Sequence, residues 1–169
     1  MAYRNKTYIC FDADNDMWAY KFMKGWKAAD HIDFNFYDAH DINNLWSGSS
    51  EATIKRKLRE RLYSAKILLV LIGESTKNLH RFVRWEQEVA LNMGIPIVAV
   101  YLNKSRSIDK NVCPPIIRNE LVLHVPYKLA TCRWAIDNWP TFYKDFKNKN
   151  KTGPFSINDA TLKLLLNEK

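Results

Sequence analysis

The apolar positions follow two different periods along the chain, and the change of period predicts strands that alternate with helices. Short runs rich in β-branched and aromatic residues predict strands, whereas apolar residues three or four positions apart predict helices. The predicted strands cover residues 6–11, 33–37, 66–72, 95–102 and 121–125. The predicted helices cover about 16–29, 51–62, 79–93 and 128–138, and Pro140 is expected to interrupt the last of them.

Strands that alternate with helices indicate an α/β fold with a mainly parallel sheet and right-handed crossovers. Five strands fit a doubly wound, flavodoxin-like sheet in the order 2-1-3-4-5. Ligands of such sheets bind beyond the carboxyl ends of the strands, at the switch point between strands 1 and 3. This places Phe11 and Asp12 beside the turn that contains Gly73 and Ser75.

The length of 169 residues suits one domain. We assign it to residues 1–146, followed by a C-terminal tail, 147–169, whose leucines suggest a short docked helix. Three scattered cysteines and the lack of a signal-peptide pattern predict a cytoplasmic protein, and no metal site is expected. No apolar run reaches the ~18 residues of a membrane helix, so no membrane partner is expected. The net charge is +8, but the basic helix around residues 55–61 has no interleaved aromatic residues, which argues against nucleic acid as a partner.

One carboxylate falls on the apolar face of a predicted helix. In the helix over residues 79–93, Phe82, Trp85 and Val89 share one face, and Glu86 lies among them. Burying a carboxylate is unfavourable unless it is paired or lines a cleft. Two interpretations stay open: a structural ion pair with a cation such as Arg81, and a functional carboxylate at the switch point.

Two segments resemble those of TIR and TIR-like domains. The opening TYICFDADND resembles the first strand and acidic turn of these domains. The segment SAKILLVLIGESTKNLHRFVRWEQEVA resembles their third strand and following helix, and residues 82–86 take the register of the W-C-x-x-E motif. The chain resembles in particular the TIR component of bacterial Thoeris anti-phage defence, over about residues 5–125. Phe82 and Val83 replace the tryptophan and cysteine of the motif.

The resemblance implies an enzyme that uses NAD as its substrate and needs no cofactor or metal. Such an enzyme cleaves the nicotinamide–ribose bond and makes a cyclic or modified ADP-ribose signal, which diffuses to an effector protein. Self-association is a further implication, and the alternative is a non-catalytic TIR-like signalling or assembly module. The catalytic residue would be Glu86, and the expected substrate contacts are Phe11, Asp12, Asp38, Trp46, Ser75 and Trp85.

Overall fold

The computed structural model describes residues 6–29, 36–37 and 48–167. Its strands are β1 (Thr7–Cys10), β2 (Phe36–Tyr37), β3 (Ile67–Ile72), β4 (Ile97–Tyr101), β5 (Val122–Pro126) and β6 (Pro154–Ser156). They form one parallel sheet in the order β2-β1-β3-β4-β5-β6. The first five strands have the order predicted for a flavodoxin-like sheet, so the predicted fold class is confirmed. The short sixth strand, which the sequence analysis did not predict, extends the sheet beyond β5.

Helices cover both faces of this sheet. They are α1 (Met17–Ala28), α2 (Glu51–Leu62), α3 (Phe82–Met93), α4 (Leu129–Asn148) and α5 (Asp159–Leu166). The helices α2 and α3 pack on one face, and α1, α4 and α5 pack on the other. Every residue of β3 and β4 is buried, as is typical of central parallel strands covered on both sides. In the part of the chain that the structure describes, no helix has the length and apolarity needed to cross a membrane.

Trp18 and Phe22 of α1 do not lie on its buried face. Trp18 is 49% exposed and Phe22 is 63% exposed, whereas Ala19, Tyr20 and Met23 are buried against the sheet. Because α1 carries apolar side chains on both of its faces, the period alone could not tell which face packs. Trp18 and Phe22 therefore lie on the exposed side of α1.

The helix α4 continues through Pro140 to Asn148, so the predicted interruption at this proline is wrong. Proline removes one helical hydrogen bond and is unfavourable inside a helix. Packing offsets that penalty here, because Trp139 is fully buried and Phe146 stacks on Phe155 of β6 at 4.3 Å between ring centroids. The segment after residue 147 then contributes β6 and α5, and Leu162 of α5 is buried among the residues of this face.

The helix α2 begins with a serine cap. The structure places Ser50 at this position, with its Oγ accepting a hydrogen bond from the Thr53 amide at 3.2 Å. Since a capping side chain stabilises a helix end, Ser50→Ala should lower the free energy of unfolding by about 1 kcal/mol. Urea denaturation measures this difference. The matched control Ser49→Ala should change stability by less than about 0.5 kcal/mol, and equal losses for both variants would contradict the assignment.

Candidate active site

A cleft of about 670 Å³ opens at the carboxyl ends of β1 and β3. Among the described residues, its lining comes from two segments, 11–14 after β1 and 78–83 at the start of α3. These segments meet because parallel strands end at the same edge of the sheet and the order of strands reverses between β1 and β3. The cleft thus lies at the predicted switch point.

Asp12 organises the turn that forms one wall of the cleft. Its carboxylate is 2% exposed and accepts hydrogen bonds from the Asp14 amide at 3.0 Å and from Asn15 Nδ2 at 2.7 Å. It also accepts one from Ser75 Oγ at 3.2 Å, which ties the turn after β1 to the turn after β3. Asp12 and Ser75 were both predicted to contact substrate. The structure brings them together, with Asp12 in the lining and Ser75 behind it.

The predicted aromatic contacts lie at different depths. Phe11 lines the cleft, but it is only 6% exposed and stacks on Tyr20 at 4.5 Å between ring centroids. Trp85 is 8% exposed and packs edge to face against Phe82, which itself lines the cleft. Trp85 thus supports the wall from behind.

Two other predicted substrate contacts, Asp38 and Trp46, lie outside the described residues.

Glu86 lies next to the cleft but is not one of the residues that line it. It is 6% exposed and follows the lining residues Phe82 and Val83 by one turn of α3. Its Oε1 accepts a hydrogen bond from Tyr8 Oη on β1 at 3.3 Å. The ion pair with Arg81 that the sequence left open is not among the salt bridges of the described residues, and the Arg81 guanidinium lies instead over the rings of Phe82 and Trp85.

Burial raises the pKa of Glu86 to about 7, since an apolar environment disfavours the charged form. The nearby Cys10 thiol and the hydrogen bond from the Tyr8 phenol lower this pKa, but by less than burial raises it. Burial also raises the pKa of Cys10 and of Tyr8, and the charge of Glu86 raises both further. The two groups consequently keep their protons. The Tyr8 phenol donates to Glu86, whose carboxyl changes its charge near neutral pH, and the Cys10 thiol donates to the Val83 carbonyl at 3.7 Å.

The sequence analysis did not single out Tyr8 or Cys10 as neighbours of Glu86. The signal that could have found them is the alternation of side chains along a strand, which puts residues two positions apart on the same face. Both point to the face that α3 covers. Within the described residues, no group of three or more His, Cys, Asp or Glu side chains is arranged to hold a metal ion.

Comparison with known protein families agrees with the parallel α/β fold. A family model described as "Thoeris protein ThsB, TIR-like domain" matches residues 8–107, which is more than half of the chain. The chain belongs to this family. The match runs from β1 through β4 and includes both walls of the cleft and Glu86. Membership in the Thoeris TIR-like family gives the protein a role in anti-phage defence signalling.

Proposed function

We propose that this Thoeris TIR-like protein is an enzyme that cleaves the nicotinamide–ribose bond of NAD. It makes a cyclic or modified ADP-ribose that diffuses to a separate effector protein. The observation that carries the proposal is the buried carboxylate of Glu86, one helical turn from residues that line a cleft at the switch point. A purely structural glutamate on this apolar face would be expected to have a cationic partner, and the described residues provide none.

The proposed reaction can proceed with one carboxylate. The bond between ribose C1 and the nicotinamide nitrogen breaks with both electrons moving to the nitrogen, so nicotinamide leaves as a neutral molecule and needs no general acid. The ribose develops the positive charge of an oxocarbenium ion, which a fixed carboxylate stabilises electrostatically. Water or a nucleophile of the same substrate then attacks C1 and gives a linear or a cyclic product.

The shape of the cleft supports one orientation of NAD. The nicotinamide ribose would lie deepest, over Phe82 and Val83, because this is the part of the lining nearest to Glu86. The diphosphate would lie toward His80 and Arg81 at the start of α3, where no side chain caps the helix and its amides favour an anion.

The first test is the nucleotide content of cells. Extracts of phage-challenged cells that express the wild-type protein should contain an ADP-ribose derivative that extracts of a Glu86→Gln strain lack, as measured by mass spectrometry. The matched control is Glu88→Gln. Glu88 lies two positions further along α3 but is paired with Lys55 at 2.9 Å on the helix surface. The Glu88→Gln strain should therefore contain as much of the product as the wild-type strain.

Two outcomes of that experiment would overturn the proposal. The same product in the Glu86→Gln strain would exclude Glu86 from the reaction. No product and no loss of NAD in a strain with folded wild-type protein would favour the alternative, a non-catalytic signalling or assembly module.

A further inference from the structure

The partner of Glu86 on β1 carries an inference that goes beyond the proposed chemistry. We propose that Tyr8 is a positioning residue for Glu86, and that its buried phenol fixes the carboxylate next to the cleft and stabilises its ionised form. The catalytic part of this role rests on the proposed function. The contact itself is a property of the fold and can be measured in an inactive protein.

The geometry singles out the phenol of Tyr8. Its side chain is 1% exposed on the face of the sheet that α2 and α3 cover, and the buried residues of β3 and α2 in the same core cluster are aliphatic. A buried hydroxyl needs a partner, and Glu86 Oε1 at 3.3 Å is the acceptor that the described part of the chain gives it. Tyr8 and Glu86 are 78 positions apart, so the contact also connects β1 to α3.

The charged and titratable groups around this pair come from three elements. On β1, Cys10 lies near Glu86 and lowers the pKa of its carboxyl, but its thiol donates to the Val83 carbonyl at 3.7 Å. On α2, Arg61 lowers the pKa of the Tyr8 phenol, but burial and the charge of Glu86 raise that pKa by more. The Lys55 ammonium of α2 pairs with Glu51 and Glu88 on the outer side of α2 and α3. Among the described residues, Tyr8 is thus the neutral group with a hydrogen bond to the Glu86 carboxylate, and a conservative change can remove its hydroxyl.

Tyr8→Phe deletes this hydroxyl and keeps the ring in the core. Loss of a donor to the ionised form should raise the pKa of Glu86 from about 7 by about one unit. Turnover that needs the carboxylate charged should then fall about five-fold at pH 7 and return to the wild-type rate above about pH 9. A merely structural role of Tyr8 would lower the rate equally at all pH values.

The pKa of Glu86 is measured directly by ¹³C NMR of carboxyl-labelled glutamate, with its resonance assigned by its loss in Glu86→Gln. This readout needs no substrate, so it decides the role of Tyr8 even where the proposed NAD chemistry fails. The matched control is Tyr127→Phe, which removes a buried hydroxyl bonded to the Ala19 carbonyl at 2.7 Å on the opposite face of the sheet. An upward shift in Tyr8→Phe but not in the control supports the proposal. The same Glu86 midpoint in all three proteins, or loss of activity without a pH shift, overturns it.

Discussion

Replacing Glu86 with glutamine should abolish NAD turnover and at the same time make the protein more stable at alkaline pH. The stability gain follows from the pKa of Glu86, which is about 7 in the folded protein against an ordinary value of 4.5. Below pH 4.5 the carboxyl is protonated in the folded and the unfolded state and favours neither. Above pH 7 it is charged in both, and the folded state bears the penalty of a buried charge. A difference of this size corresponds to about 3 kcal/mol.

The gain of Glu86→Gln should therefore be near zero at pH 4, rise between pH 4.5 and 7, and stay at about 3 kcal/mol above pH 8. For a chain of this length that is roughly 8 °C in melting temperature. Urea denaturation across this pH range measures it. If the gain did not change with pH, burial would not raise the pKa of Glu86 as described.

The variant Glu88→Gln provides the comparison on the same helix. Glu88 pairs with Lys55 on the surface, and its side chain is 34% exposed. Removing such a pair changes stability by less than about 1 kcal/mol. Glu88→Gln should thus lack both the alkaline gain and the loss of turnover. A loss of turnover in both variants would mean that α3 as a whole, rather than the Glu86 carboxylate, is required.

The sequence predicted those parts of the fold that are set by one strong local signal. Unbroken apolar runs predicted the central strands β3 and β4, and Gly94, which has φ +68°, ends α3 where the sequence predicted. The strand β6 gave no comparable signal, because three residues are too few for an alternating pattern. It forms through backbone pairing with β5 and through the stacking of Phe155 on Phe146.

The sequence also predicted two features of the candidate site. Helical periodicity alone indicated that Glu86 is buried, and strand order alone indicated the edge of the sheet at which the cleft opens. Strand alternation and strand order place Tyr8 on the face that α3 covers and Asp12 beside Ser75, but the hydrogen bonds from Tyr8 to Glu86 and from Ser75 to Asp12 were not predicted. They depend on how separate elements pack in three dimensions, and no local pattern records that packing.

Gly73 should be the glycine least tolerant of a side chain. A Cβ at this position would lie 2.7 Å from Cγ of Asp16 and closer still to the carboxylate oxygens. The Asp16 side chain has little room to move away, because it is 6% exposed and accepts a hydrogen bond from Thr76 Oγ1 at 3.5 Å. Thr76 Oγ1 in turn accepts one from the Gly73 amide at 2.9 Å.

Gly73→Ala must therefore displace a buried carboxylate or the turn itself, and it should lower the free energy of unfolding by about 3 kcal/mol. Denaturant unfolding measures the loss. Gly25→Ala is the matched control, because nothing lies within 4 Å of the added carbon in the exposed interior of α1. It should raise stability by about 0.5–1 kcal/mol.

A double-mutant cycle with Asp16→Ala identifies the cause of this loss. If the Asp16 carboxylate causes the loss, Gly73→Ala should change stability by less than about 1 kcal/mol in the Asp16→Ala background. A full loss in the Asp16→Ala background would place the strain in the backbone of the turn. That turn holds Ser75 against Asp12 beside the cleft. The same cycle thus tests whether glycine is required there because of the contact with Asp16 or because of the backbone conformation.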